Sequence, residues 1–417
     1  MLYERWKQTA SAHGDEMALR DAASGRRWTF QELFLAGEKQ TIDPHPVIFP
    51  EGHSTAFILQ VIAAWREGKV ICPLEPGQTA PAGLHGLPPS IVHIKCTSAT
   101  SGNARLVALT AEQLAADAAN IVATMGLRPD WPNVAVISLA HSYGFSNLVT
   151  PLLLHGIPMI LAAAPLPEIV RHAAAGAQAV TIPAVPAMWR AWHEAGAMPA
   201  NIRLAISAGA PLPLKLERDV FRSTGIKIHN FLGASECGGI AFDTGSTPRS
   251  DDALAGTAMR NVNVSLNDDG CLVVRSRAVA EGYWPEKSGR LADGIFQASD
   301  LGEIVDGNIF LRGRLSDLIN VAGRKISPDT IERALREHPD VRDCLVFGAP
   351  SRDAERTEIP VAVMVTTASE ANLRRFLLER LPAWQVPRQW HFVDSLEANA
   401  RGKISRAEWR RRFSPVR

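Results

Sequence analysis

Between Cys96 and Thr110 the chain reads CTSATSGNARLVALT. Thr97, Ser98, Thr100 and Ser101 place hydroxyls ahead of Gly102, and hydroxyls beside closely approachable amides suit the oxygens of a phosphate. The spacing does not match GxxxxGK[ST], which excludes a Walker loop. The lysine that usually follows such a loop is absent, and Arg105 is the cation the stretch offers. An arginine keeps a positive charge near distal phosphates, and its planar fork grips two oxygens. Runs of this composition also make ordinary polar turns, so taken alone the stretch reads either way.

The elements around it narrow the choice. From Asn133 to Phe231 short apolar runs (VAVISL, IPMILA, AQAVTIP, IRLAIS, IKIHNF) alternate with amphipathic ones (GFSNLVTPLLLHG, LPEIVRHAAAG, AVPAMWRAWHEAG, LPLKLERDVFRSTG). This alternation predicts an α/β fold with a helix-covered, mostly parallel sheet. Ligands of such sheets bind beyond the carboxyl ends of the strands, which points to the segments after IRLAIS and IKIHNF. Thr110, with Gln113 three residues on, predicts a capping-box start to a helix directly after the opening stretch.

Past Phe231 the texture changes. NVNVSL, CLVVRS and EIVDGNIFLRG alternate apolar and polar residues around Asp-Gly and Asn-Asp-Asp-Gly turns, so antiparallel hairpins are expected. Near Gly313 it changes again: Ser327 caps and Pro328 opens a helix, PDTIERALREH, followed by strand-like VRDCLVFGA and PVAVMVTT. A boundary at about Arg314 to Ser316 divides a large domain, residues 1–314, from a small α+β domain, residues 315–417.

Composition sets the outer limits. With 417 residues, 46% hydrophobic and 21% charged, the chain can build a large core in more than one domain. Its 44 Lys+Arg against 43 Asp+Glu leave a formal charge of +1, so no basic field draws nucleic acid or an anionic membrane surface. Cys72, Cys96, Cys237, Cys271 and Cys344 are scattered and never in CxxC spacing, against a disulfide framework or a zinc site. A reducing cytoplasm is the expected compartment. MLYERWKQTASAHGDE has no apolar core for a signal peptide. The most apolar stretch, Asn147 to Leu166, is interrupted by Pro151, His155, Gly156 and Pro158, which predicts buried elements joined by a turn and no membrane span.

The Ser/Thr loop, AISAGAPLP, HNFLGASECGG, ASDLGEIVDGNIFLRGRLSD, INVAGRKISPDTIERALREH and NARGKISR follow one another along the chain. In that order they resemble the motifs of the adenylate-forming superfamily: acyl-CoA synthetases, adenylation domains of peptide synthetases, and luciferases. The likeness reaches back to LYERWKQTASAHGDEMALRD and WTFQELF. Apparent deletions near Gly37 to Pro46 and Gly77 to Pro89 shorten the N-terminal region. The resemblance implies a large N-terminal domain with mostly parallel sheets and a small antiparallel barrel-like part, followed by a small mobile C-terminal domain. It also implies ATP and Mg²⁺ as cofactors.

By resemblance, Glu236 holds the metal near the α-phosphate, Ser235 keeps a phosphate-contacting hydroxyl, and Lys403 bridges the substrate carboxylate and the phosphate. Asp300 accepts the ribose hydroxyls and Arg314 adds a ribose contact. Gly209, Ala210 and Pro211 let backbone approach the adenine, with Asn230, Leu232 and Gly233 beside it. Ser316 falls at the interdomain hinge, and Gly323 lines the thiol channel of the second domain orientation. Each has a plainer reading: an exposed Glu or Lys, a turn-forming Asp, a rim ion pair, a tight strand-to-helix turn, a turn glycine.

Some residues depart from the family pattern. TSATSGNARL stands where TSGTTGxPKG is usual, with Ala99 for glycine and Arg105 for lysine; Leu232 replaces an adenine-stacking tyrosine. LAHSYGFSNL, Leu139 to Leu148, aligns with the acyl-facing motif and lacks the aspartate that pairs an amino acid's ammonium. A buried unpaired ammonium is costly, so an aryl or acyl acid is expected, with His141 as its gate. The small residues Gly144, Ala208, Gly233 and Gly239 are expected to leave room for it. The implied activity joins a small carboxylic acid to the thiol of coenzyme A or of a carrier-protein phosphopantetheine. The alternative is a catalytically impaired relative that binds an acyl ligand or a partner.

Overall fold

The computed structural model describes residues 1–97, 105–351, 358–396 and 405–413. Its parallel half runs through the strands Met17–Asp21, Met159–Leu161, Asn133–Ala135, Val180–Ala184, Ile202–Ser207 and Ile228–Ala234, hydrogen-bonded in that spatial order. The three from Met159–Leu161 to Val180–Ala184 are buried along their whole length, as strands covered on both faces must be. Pro167 and Pro186 open two of the crossover helices, Pro167–Ala174 and Pro186–Glu194, where a missing N–H costs nothing. Helix Leu214–Thr224 stops at Gly225, φ +73°, a left-handed cap. Trp189 and Trp192 of the second crossover helix are fully buried, with ring centroids 4.9 Å apart; truncating either to Ala is expected to cost about 3–5 kcal/mol.

Strand Ile228–Ala234 is where the sheet changes character. It is parallel to Ile202–Ser207 on one side and antiparallel to Gly238–Phe242 on the other. The expected antiparallel part is a continuation of the same sheet, through Leu254–Ala258, Asn308–Arg314, Ile295–Val305, Cys271–Arg275 and Asn263–Leu266. Asp306 and Gly307, at φ +50° and +77°, form the two-residue turn read from EIVDGNIFLRG. A separate five-stranded sheet contains Ile91–Cys96 and Leu106–Thr110, the strands flanking the Ser/Thr loop. Thr110 and Gln113 form the predicted capping box of helix Ala111–Met125. The apolar stretch from Asn147 folds as a helical segment to His155, a left-handed turn at Gly156 and the strand Met159–Leu161. No helix among the described residues is long and apolar enough to cross a membrane.

A short 3-10 turn, Leu315–Asp317, leads into the C-terminal unit. There, strands Val341–Pro350, Glu358–Thr366 and Gln389–Phe392 form a sheet, and helices Pro328–Arg336 and Glu370–Leu378 bury Ile331, Leu335, Leu373 and Leu377 in a core of their own. The predicted Ser327 cap is present: its side chain accepts from the Asp329 N–H. The unit leans on the large domain through Arg333, whose Nη1 donates to the Leu311 carbonyl at 3.2 Å.

Candidate active site

The Ser/Thr loop is closed at its neck by two residues. Thr97 N–H donates to the Arg105 carbonyl at 2.9 Å, and Thr97 Oγ1 both donates to that carbonyl and accepts the Arg105 N–H, each at 3.1 Å. Ser98, Thr100, Ser101 and Gly102 lie outside the described residues. The Arg105 guanidinium sits over the ring of Tyr283, 5.1 Å from its centroid. Tyr283 Oη in turn donates to Glu236 Oε1 at 2.9 Å. Burial and the neighbouring carboxylate push the Tyr283 hydroxyl up to about 12, which keeps its proton in place to donate.

Sequence reading missed Tyr283, and the reason is topological. GYW forms a three-residue strand, Gly282–Trp284, that pairs antiparallel with Leu106–Thr110 and sets Tyr283 opposite Val107. So short a strand has no periodicity to read, and its partner lies far upstream. Two backbone bonds complete the placement: Ala280 N–H to the Glu236 carbonyl at 2.8 Å, and Glu281 N–H to the Ala108 carbonyl at 3.0 Å.

Several candidate residues follow the carboxyl ends of adjacent parallel strands. Gly209, Ala210 and Pro211 come after Ile202–Ser207, and Gly209 has φ +84°, a conformation that favours glycine. Leu232 is half-buried and Gly233 exposed near the end of the next strand, and Ser235 and Glu236 form the turn after it. On that strand Asn230 Nδ2 donates to the Leu254 carbonyl at 3.1 Å, so the amide oxygen is the atom left to accept from a ligand's amino group. Asp300 and Arg314 face one another across the hairpin, Arg314 Nε 3.1 Å from Asp300 Oδ1. The Asp300 charge raises the Arg314 guanidinium further above its ordinary value.

In the segment expected to face the acid, His141 precedes the short helix Ser142–Gly144, and its carbonyl accepts the Phe145 N–H at 2.8 Å. Ser142 Oγ lies 3.0 Å from Ser235 Oγ, which joins this segment to the GASE turn. Asp117, 2% exposed, makes a second link: Oδ2 accepts from Ser146 Oγ at 2.7 Å and Oδ1 from the Gly239 N–H at 3.0 Å. The expectation that the small residues leave room for an acid needs correction at two of the four. A Cβ at Gly144 would run into the Ser138 carbonyl, and one at Gly239 into Met259 and the Phe231 ring. These glycines permit close packing and open no volume. Ala208 is buried beside the same strands; a Cβ on Gly233 would crowd the Gly238 carbonyl at 3.0 Å.

In the C-terminal unit Ser316 is exposed in the 3-10 turn, its Oγ 3.1 Å from Asp317 Oδ1. Gly323 is at the tip of the hairpin Ile319–Ile326, φ +79°, with nothing within 4 Å of an added Cβ. Lys403 lies outside the described residues. Among the described residues no group of three or more His, Cys, Asp and Glu is placed to hold a metal ion. Glu236 nevertheless fits Mg²⁺ delivered with a nucleotide, because that ion takes one or two carboxylates and completes its shell with phosphate oxygens and water. Tyr283 occupies one of its oxygens and leaves Oε2 for the ion.

Residues 85–284 match the family described as AMP-binding enzyme, and residues 330–403 match the AMP-binding enzyme C-terminal domain. A feruloyl-CoA synthase of Amycolatopsis is 28% identical over 344 residues, 76% of this chain and 69% of that protein. A 2-succinylbenzoate–CoA ligase of Listeria monocytogenes is 28% identical over 331 residues, with the same two coverages. The crystal structure of ATP-bound MatB from Rhodopseudomonas palustris superposes with a TM-score of 0.87 at 20% identity, over 100% of this chain and 99% of that one; this likeness speaks to the fold alone.

Proposed function

Because the chain belongs to the AMP-binding enzyme family of adenylate-forming proteins, we propose that it is an AMP-forming acid–thiol ligase acting on an aryl or acyl carboxylic acid. The observation that carries this reading is the meeting of three distant segments. The Ser235–Glu236 turn is joined to the acyl-facing segment through Ser142 and to the neck of the Ser/Thr loop through Tyr283 and Arg105. Nucleotide phosphates and a carboxylate brought to that junction would be side by side, which is the positioning that phosphoryl chemistry needs most.

In this reading Asn230 accepts from the adenine amino group, and Asp300 accepts from the ribose hydroxyls while Arg314 holds its carboxylate in line. Arg105, Ser235 and the hydroxyls of residues 97–101 hold the phosphates. Leu232 gives an apolar contact where a stacking ring would be stronger. Glu236 would hold magnesium, which would supply counter-charge at the α-phosphate. A carboxylate oxygen of the acid forms a bond to the α-phosphorus and pyrophosphate leaves, with Lys403 carrying the counter-charge between the two anions. The C-terminal unit then turns about Ser316, withdrawing Lys403 and presenting Gly323 to the thiol. The thiol, losing its proton, attacks the acyl carbon; AMP leaves and a thioester remains. His141 closes the acyl end.

The acceptor is coenzyme A or a carrier-protein phosphopantetheine, and the protein works in the cytoplasm, where its scattered cysteines, none of them in CxxC spacing, stay reduced. A panel of aliphatic and aromatic acids assayed for pyrophosphate release, with and without coenzyme A, tests the reading. Release with at least one acid supports it. Silence across the panel, together with no ATP binding by calorimetry, would sink it and favour a ligand-binding relative.

A further inference from the structure

Arg105 and Glu236 pose a problem for any site that needs both. A guanidinium and a carboxylate free to meet form a forked pair, which would spend the phosphate-loop cation and the metal-side carboxylate on each other. They are not paired in the structure, and one side chain touches both: the Arg105 guanidinium sits over the Tyr283 ring at 5.1 Å, and the Tyr283 hydroxyl donates to Glu236 Oε1 at 2.9 Å.

We propose that Tyr283 is a positioning residue that keeps Arg105 and Glu236 apart and aims each at its own target. The ring face attracts the guanidinium, an interaction well suited to the planar group of arginine. The hydroxyl fixes one carboxylate oxygen and leaves the other for a cation. The backbone enforces this arrangement. Tyr283 stands opposite Val107 in the strand that continues from Arg105, and the Ala280 N–H is bonded to the carbonyl of Glu236 itself. The inference rests on the adenylation reading and assigns a role to a residue outside the motifs that suggested it.

Two variants separate the functions of ring and hydroxyl. Tyr283→Phe keeps the ring, so metal-free ATP should bind as in the parent, by calorimetry. Mn²⁺ binding in the presence of ATP, followed by the paramagnetic resonance signal of free Mn²⁺, should weaken by about ten- to one-hundred-fold, the loss of one hydrogen bond to a charged group. Tyr283→Leu removes both contacts and should weaken metal-free ATP as well. In a Glu236→Gln background Tyr283→Phe should have no further effect on Mn²⁺, since it acts through that carboxylate. Unchanged Mn²⁺ binding by Tyr283→Phe, or an equal effect with and without Glu236, would overturn the proposal while an active parent left the adenylation reading standing. A parent that neither binds ATP nor releases pyrophosphate would remove both.

Discussion

Arg406 Nη1 is 3.0 Å from Asp317 Oδ2, so the first turn of helix Arg406–Phe413 is fastened to the residue beside Ser316, the proposed hinge. The same guanidinium reaches Asp329, Glu332 at 2.8 Å and the Val346 carbonyl at 3.2 Å. Glu332 is 3% exposed and also accepts from Arg336 and the Val346 N–H, so this is a partly desolvated network and not a surface pair. Lys403, outside the described residues, precedes Arg406 by three positions, and the clamp ties the helix that follows it to the residue beside the proposed hinge. Arg406→Met should lower stability by about 3 kcal/mol, because carboxylates lose their shared cation, and should slow adenylate formation. Lys403→Ala should slow adenylation as strongly with no loss of stability and nearly intact ATP affinity. Denaturant unfolding together with a pyrophosphate burst assay distinguishes the two; equal stability of Arg406→Met and parent would refute the clamp.

Asp300 is held by Arg314 through Oδ1. Asp300→Asn should weaken ATP binding about ten- to one-hundred-fold, the range expected for losing hydrogen bonds to a charged acceptor. The parent's preference for ATP over 2′-deoxy-ATP should shrink in the variant. Calorimetric titration of both nucleotides is the check, and an unchanged preference would show that the carboxylate does not touch the ribose.

His93, 1% exposed, packs its ring 4.4 Å from Phe145, and burial together with Lys95 holds its imidazole well below the ordinary value. The folded state therefore resists protonation that the unfolded chain accepts near pH 6.5. The resulting stability is complete above that pH and is lost as pH falls toward the depressed value, at up to about 1.4 kcal/mol per pH unit. His93→Phe should flatten the pH dependence of the urea midpoint between about 6.5 and 5, leaving the part due to His53, His155, His229 and His391, which are also lowered by burial. A variant with the parent's slope would contradict this.

Asp117 joins helix Ala111–Met125 to the acyl-facing segment and to the strand after Glu236. Asp117→Ala leaves the Ser146 hydroxyl and the Gly239 N–H without an acceptor in a buried place, at about 1–3 kcal/mol each. Thermal unfolding of the variant should show the loss; Asp117→Asn, which keeps an acceptor, should recover part of it.

Local chemistry was what made the fold readable. Thr110 with Gln113, Asp306 with Gly307, and Ser327 with Pro328 each fix a helix start or a turn within a few residues, and each is found where it was expected. The alternation between Asn133 and Phe231 did the same for the parallel strands. The site was less legible because its members meet through pairing. Tyr283 reaches Arg105 and Glu236 only because a three-residue strand adds itself beside Leu106–Thr110. Gly144 and Gly239 misled for a related reason: a missing side chain in the sequence says nothing about whether a neighbour has filled the space, and here Ser138 and Met259 have. Arg406 was hidden among the basic residues of the tail until its three carboxylates were seen.

The central claim is that an oxygen of the acid bonds to the α-phosphorus of ATP. It can be followed by supplying an acid labelled with ¹⁸O in both carboxylate oxygens, together with ATP, magnesium and coenzyme A, and weighing the nucleotide product. AMP should carry a single ¹⁸O, with the other retained in the thioester. Thioester formed with label in orthophosphate, or with unlabelled AMP, would contradict it.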